Sequence, residues 1–414
     1  MSIPKMRFYG YDSSWKVSKL GELFEIYSGN TPSRSDRNNY DNGTIPWIKT
    51  TDLNNSLIYV NEEKITDHGA KKLKTLPKNT ILIAMYGGFN QIGRTGLLTY
   101  PATINQALAS FLPIKKINSY FLLNYLNLRK DSWRNVAASS RKDPNITKND
   151  VEKFKISFPS LEEQQAIGSL FRTLDDLLAS YKENLANYQS LKKTMLSKMF
   201  PKAGQTVPEI RLEGFEGEWK KVNLETSTVR LKSFSLSRDV ETKENTGMRY
   251  IHYGDIHTGK ASHINDENML PYITKNLEIT DFLKKGDLIF ADASEDYKGI
   301  AEVSLLAVVP KDNVIAGLHT IALRPNKNLD STFLYYLFKT QTFRKYGYKV
   351  GTGMKVFGIS PTNLMKYEYY HPSLAEQQAI GSYFANLDNV IAAHREKITQ
   401  LETLKKKLLQ DMFI

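Results

Sequence analysis

Gly254 to Ala261 reads GDIHTGKA and fits the G-x-x-x-x-G-K spacing of a phosphate-wrapping loop, yet Ala261 stands where a Ser or Thr hydroxyl would hold Mg²⁺. A nucleotide site is not expected there. Glu62, Glu63 and Lys64 behind Asp52 loosely resemble the carboxylate and lysine set of a nuclease, but short acidic–basic strings are common on surfaces. His252, His257 and His263 have no metal-ligand spacing, and without any cysteine no metal site is expected. A base-methylating site needs an N/D-P-P-F/Y tetrapeptide to hold a flipped base, and the chain has none. Catalytic residues are therefore not expected. The residues left with chemistry are polar and basic ones that bind.

Their distribution along the 414 residues is uneven. Residues 1–157 hold 23 Lys and Arg against 13 Asp and Glu, whereas residues 207–370 hold 22 against 21, so most of the +12 excess lies in the first block. A basic block with interleaved aromatics points to a polyanion, and nucleic acid comes first among these. No apolar run approaches the 18 or so residues of a membrane span. The N-terminus lacks the apolar stretch of a secretion signal, and the absence of cysteine fits a cytoplasmic location, which is the expectation.

The elements that must position these residues are written twice. Residues 158–200 align with 371–413 at a constant offset of 213, and 21 of the 43 positions are identical, beginning with PSLEEQQAIGS (Pro159 to Ser169) and PSLAEQQAIGS (Pro372 to Ser382). The leads match too: IPKMRFYGYDSSWK (Ile3 to Lys16) aligns with VPEIRLEGFEGEWK (Val207 to Lys220) at an offset of 204. Between these ends the text diverges, with weak echoes such as WIKTTDL against YIHYGDI and NITKNDV against GISPTNL.

Each repeated segment predicts a long helix. Ser160 with Glu163, and Ser373 with Glu376, form S-x-x-E after a proline, the pattern of a capping box. Ile167, Phe171, Leu174, Leu178, Tyr181, Leu185 and Tyr188 then follow at 4-3 spacing; the second copy runs Ile380, Phe384, Leu387, Ile391, His394, Ile398 and Leu401. These are coiled-coil seams, each on a rod of roughly 60 Å. Connectivity predicts an antiparallel pair, with the two domains at opposite ends about a pseudo-twofold axis and Tyr181 facing His394 across it. Pro201 is expected to stop the first helix. The division expected is 1–157 as a first variable domain, 158–206 as the first helix and linker, 207–370 as a second variable domain, and 371–414 as the second helix. NTILIAMYG and GDLIFADAS read as strands, and SYFLLNYLNLRK and STFLYYLFKTQT as helices, so each domain is expected to be α+β.

This order of variable domain, P-S-L-x-E-Q-Q-x-I helix, variable domain and the same helix, with P-x-[IM]-R-x-x-G-[FY] before each domain, resembles the specificity subunit of Type I restriction–modification enzymes over the whole chain. The resemblance implies two target recognition domains, each reading half of a split, asymmetric DNA site. It implies helices that set the gap between the halves, so that a change of helix length changes the gap. It further implies two docked adenine methyltransferase (modification) subunits with S-adenosylmethionine, and through them restriction subunits with ATP and Mg, while this chain holds no cofactor.

Readers of base edges need donors and acceptors on loops, with cations for phosphates. MYGGFNQIGR (Met85 to Arg94) offers Tyr86, Asn90, Gln91 and Arg94 after an apolar strand, and SSRKDPN offers Arg141 and Lys142. In the second domain Tyr297 and Lys298 in SEDYKGI, and Lys355 in TGMKVFG, take the matching places, with Lys49 and His252 as further candidates. AGLHT (Ala316 to Thr320) stands where the first domain has INQAL, so contacts of Asn105 and Gln106 do not transfer directly. The alternative function is a coiled-coil adaptor whose variable domains bind proteins; a self-contained nuclease or methylase comes third.

Overall fold

The computed structural model describes residues 3–88, 90–138, 145–274, 281–294, 299–353 and 357–413. The fold is α+β, with two mixed recognition regions and two long helices, α1 (Leu161–Lys198) and α2 (Leu374–Met412). The chain forms two compact units. The first comprises Met1–Lys182 with Glu396–Ile414, and the second Glu183–Arg395. Each unit thus contains one recognition region, the start of the helix that follows it and the end of the other helix.

In the first unit a five-stranded sheet runs in the order Tyr27–Ser28, Leu108–Phe111, Ile81–Ala84, Thr95–Leu98 and Ser56–Ile58. The central strand ILIA is buried on both faces, which is why it reads as a continuous apolar run without alternation. A smaller sheet holds Lys64–Ile65, Ile45–Ile48 and Thr103–Ile104. The second unit repeats the pattern: Thr228–Leu231, Thr320–Pro325, Leu288–Ala291, Val303–Leu306 and His263–Ile264 in one sheet, with Tyr272–Ile273, Met248–Ile251 and Asn313–Ala316 in the other. The latter gains an extra edge strand, Glu241–Thr242.

A short antiparallel ribbon closes each region at its base. Lys16–Lys19 pairs with Lys155–Phe158, and Lys220–Asn223 with Glu368–His371, so each region returns to its starting point just before its long helix. The expected helices form at Ser119–Leu128 and Ser331–Phe338, each followed by a second helix, Lys130–Ala138 and Gln341–Val350.

The helix starts depart from the expected capping box. The amide of Glu163 donates to Ser160 Oγ at 3.4 Å, and that of Glu376 to Ser373 Oγ at 3.4 Å, which is the first half of the motif. The acids are engaged elsewhere. Glu163 takes a two-point contact from Arg7 at 2.9 and 2.6 Å, and Glu376 takes one from Arg211 at 2.7 and 2.7 Å. A guanidinium, which brings a full charge and two parallel N–H donors, outcompetes a single backbone amide for the carboxylate. The glutamine that follows is also structural: Gln164 Oε1 accepts from the Asn118 amide at 3.0 Å, and Gln377 Oε1 from the Asp330 amide at 2.8 Å. The E-Q of the motif therefore ties each long helix to its own recognition region.

Within the first unit, Ile167, Phe171, Leu174 and Leu178 of α1 are buried, as are Ile398 and Leu401 of α2. Asp175 meets Lys405, and Lys182 meets Glu402 at 2.6 Å, so the segments are antiparallel. Within the second unit, Ile380, Phe384, Leu387 and Ile391 are buried, Leu185 is half-buried, and Lys192 meets Asp388. There the His394 ring lies edge-on to Tyr188 with centroids 5.1 Å apart. An aromatic cluster closes each unit. Phe121 contacts Trp15 at 5.7 Å and Phe413 at 5.2 Å, and Phe333 contacts Trp219 at 5.8 Å and Phe200 at 5.4 Å.

Candidate nucleic-acid interface

The loop from Met85 to Arg94 joins two antiparallel strands of the first unit, Ile81–Ala84 and Thr95–Leu98. Gly87, Gly88 and Gly93 take φ values of 115°, 75° and 74°, a backbone that side-chain-bearing residues rarely adopt. A Cβ on Gly93 would also meet Trp133 at 3.0 Å. These glycines fold the loop back tightly, with the Gly93 amide donating to Ala84 O at 3.0 Å. Tyr86 and Asn90 are exposed, whereas Gln91 is half-buried with its amide against the Gly87 backbone. Arg94 is braced by its Nε bond to Asn90 O at 3.0 Å.

Two cations that sequence reasoning missed stand beside this loop. Burial and the nearby charges of Arg134 and Arg94 push the Lys130 ammonium below its ordinary range. Cations held close enough to disfavour one another suit a polyanion, which would relieve the repulsion. Their signal was present in KDSWR, where basic residues fall on one face of a short helix.

Lys49 and its counterpart His252 occupy equivalent N-cap positions of short helices. Lys49 Nζ contacts Glu63 at 3.1 Å and Glu62 at 3.7 Å. Glu63 also binds Arg34, and the Arg34 guanidinium lies over Tyr40 at 4.5 Å and Trp47 at 5.1 Å. The Arg34 hydrogen bonds hold the Glu63 carboxyl below its usual range. The Glu62–Glu63 string is thus a counter-charge for two basic residues. His252 is 5% exposed, its Nδ1 accepting from the Gly254 amide at 3.1 Å. Burial lowers its pKa, so the ring is held neutral.

The second unit builds the corresponding surface on the same scaffold. The Asp292 amide donates to His319 O at 3.0 Å and Asp292 O accepts from Ile359, where the first unit has Met85, Ala107 and Ile146 in the same relation. The loop after Leu288–Ala291 is therefore the topological counterpart of the Met85 loop. Tyr297, Lys298, Lys355, Arg141 and Lys142 lie outside the described residues. Asn105 is half-buried and Gln106 is exposed, with the Gln106 side chain bonded to Thr31. Among the described residues no group of three or more His, Cys, Asp or Glu is arranged to hold a metal ion, and no helix is long and apolar enough to cross a membrane.

A duplicated mixed fold, with a basic glycine-shaped loop on one copy and a topological counterpart on the other, defines a class of paired recognition modules. The chain belongs to the Type I restriction modification DNA specificity domain family, whose model matches residues 12–214 and again 218–403. It is a specificity subunit, the non-catalytic DNA-recognition component of a restriction–modification system. It is 23% identical over 404 residues to the Type I restriction enzyme MjaVIII specificity subunit of Methanocaldococcus jannaschii, covering 95% of this chain and 91% of that one. Over 175 residues it is 29% identical to the EcoR124I/EcoR124II specificity subunit of Escherichia coli, covering 41% of this chain and 43% of that one. The fold is similar to the S subunit crystal structure from M. genitalium, with a TM-score of 0.63, 16% identity, and coverage of 100% and 99% of the two chains.

Proposed function

We infer that the chain reads a bipartite, asymmetric DNA site, one half with each recognition region. Equivalent surfaces around the long helices dock two adenine methyltransferase subunits, and restriction subunits join through these. S-adenosylmethionine then belongs to the methyltransferase, and ATP with Mg to the restriction subunit.

One observation carries this reading: the junction between region and helix is repeated residue for residue, while the loops the regions present are not. Arg7–Glu163 and Arg211–Glu376 match, as do the Gln164 and Gln377 bonds to the two region helices. The Met85 loop shares its place in the fold, but not its residues, with the segment after Ala291. Two identical partners require matched supports, and two unlike half-sites require unlike readers. Tyr86, Asn90 and Arg94 are proposed to contact the first half-site, with Gln91 packed inward to shape their loop and Lys130 and Arg134 on phosphates. Tyr297, Lys298 and Lys355 are proposed for the second half.

The test is methylation mapping of DNA from cells that express this chain with its modification subunit. A split N6-methyladenine motif with unlike halves and a fixed gap is expected, and Ala at Asn90, Gln91 and Arg94 should relax one half alone. An active complex that leaves no split motif defeats this reading and favours an adaptor whose domains bind proteins.

A further inference from the structure

We propose that His319, held by Asp292, is a base-reading residue for the second half-site, accepting a hydrogen bond from the exocyclic amino group of adenine or cytosine. The inference rests on the two-reader function above.

His319 ends the turn between Asn313–Ala316 and Thr320–Pro325. The matching turn of the first unit, between Thr103–Ile104 and Leu108–Phe111, carries Ala107 at this position, by the equivalent bonds Met85 N to Ala107 O and Asp292 N to His319 O. The second region has placed a polar ring where the first has a methyl group. It has done so at a φ of 53°, a left-handed conformation uncommon for residues with a side chain but one that histidine takes more often than most. A side chain held at positive φ in a surface turn beside a recognition loop is a candidate functional position.

The ring is fixed on two sides. Nδ1 lies 3.1 Å from Asp292 Oδ1, and the ring meets Tyr253 edge-on with centroids 5.4 Å apart. The side chain is nevertheless 51% exposed. A carboxylate can only accept, so Nδ1 carries a proton, and in the neutral ring Nε2, on the far side, is left as an acceptor. In the major groove, only adenine N6 and cytosine N4 offer a donor to such an acceptor.

Among the described residues, three arginines of the second region are engaged in the fold. Arg238 binds Glu241 and Asp255, Arg249 binds Asp312, and Arg324 binds Asp287. With these arginines engaged, a nearly neutral region has use for a neutral reader beside its lysines, and His319 is oriented as one. Its sequence neighbour in kind, His252, is buried behind Tyr253, with the two rings 4.5 Å apart.

The experiment uses the full chain in complex with its modification subunit. His319→Gly removes the ring at a φ that glycine adopts freely, and His319→Asn keeps a polar group that tolerates the same backbone. Methylation mapping is followed by binding to duplexes carrying single base-pair changes in each half. The expected result is a loss of at least tenfold in discrimination at one base pair of the second half, with the first half unchanged. Asp292→Asn should give a smaller loss at the same base pair. An unchanged second half in His319→Gly overturns the proposal, as does a drop in affinity that is equal on every duplex. A wild-type complex with no split motif would instead sink the two-reader function itself.

Discussion

Glu163 and Arg7 stand 156 positions apart and meet in a two-point ion pair, 2.9 Å at Nε and 2.6 Å at Nη2, with the carboxylate 2% and the guanidinium 11% exposed. Removing one partner of so buried a pair strands the other charge, at a cost of about 3–5 kcal/mol. Glu163→Ala is therefore expected to lower the denaturation midpoint clearly, and Glu376→Ala to do the same through Arg211. The sites lie in different units, so their effects should add to within about 0.5 kcal/mol. Urea titration of the single and double variants checks both points, and a near-neutral Glu163→Ala would show that the pair is dispensable.

Gly168 and Gly381 occupy the same repeat position, yet alanine should affect them unequally. A Cβ at Gly168 would lie 2.6 Å from Asn118 Oδ1, the atom that caps Ser119–Leu128 by accepting from Phe121 N at 2.9 Å. Alanine gains about 1 kcal/mol in helix propensity, but crowding costs about 1–3 kcal/mol and loss of the cap about 1 kcal/mol more. The net expectation for Gly168→Ala is a loss of about 1–3 kcal/mol. At Gly381 the nearest atoms are Asp330 Oδ1 at 3.0 Å and Phe333 N at 3.1 Å, so a small shift suffices and the change should be close to zero. Thermal melts of the two variants test the asymmetry.

Asp175 accepts from Tyr120 at 2.7 Å while bound to Lys405, and Asp388 accepts from Tyr336 at 2.8 Å while bound to Lys192. Burial first, and the carboxylate next, push both phenols well above the tyrosine range. A folded pKa above the unfolded value means stability that is whole below about pH 10 and falls as pH rises past it. Both phenols should therefore stay protonated in the native chain and ionise only as it unfolds. Burial also raises the phenols of Tyr250, Tyr335, Tyr367 and Tyr369, so ultraviolet titration should show a slow, unfolding-linked group of tyrosines that loses one member in each of Tyr120→Phe and Tyr336→Phe.

The repeat, the two helices and the buried strands were legible because they depend on local periodicity and on self-similarity. The reciprocal half of the capping box was not, because Glu163 has a partner 156 residues away whose charge outranks a local amide. The recognition loop after Ile81–Ala84 could be placed from its glycines, but Gln91 packs inward, a direction that spacing does not reveal. Histidine showed the limit most clearly. The W/Y-I echo drew attention to His252, which turns out to be a buried N-cap, whereas His319 becomes prominent only when strand pairing brings it beside Asp292. Lys130 and Arg134 escaped notice because their relation to Arg94 is spatial.

Asp292 links recognition to stability. Burial raises its pKa above the ordinary aspartate value despite the opposing influence of His319. A carboxyl whose folded pKa is raised stabilises the native state only below its unfolded pKa, and loses that contribution as pH rises through the folded value. At neutral pH the ionised group is thus a liability for folding that a neutral amide would remove. Asp292→Asn is expected to raise the melting temperature at pH 7–8, with the gain vanishing below about pH 4, where both states carry the proton in the parent chain. The same substitution should weaken reading of the second half-site, since Asn no longer fixes the His319 tautomer. Melts across pH, paired with the duplex panel, decide it: a variant that is less stable at pH 8 would mean that the Asp292–His319 bond supports the fold rather than the reading of DNA.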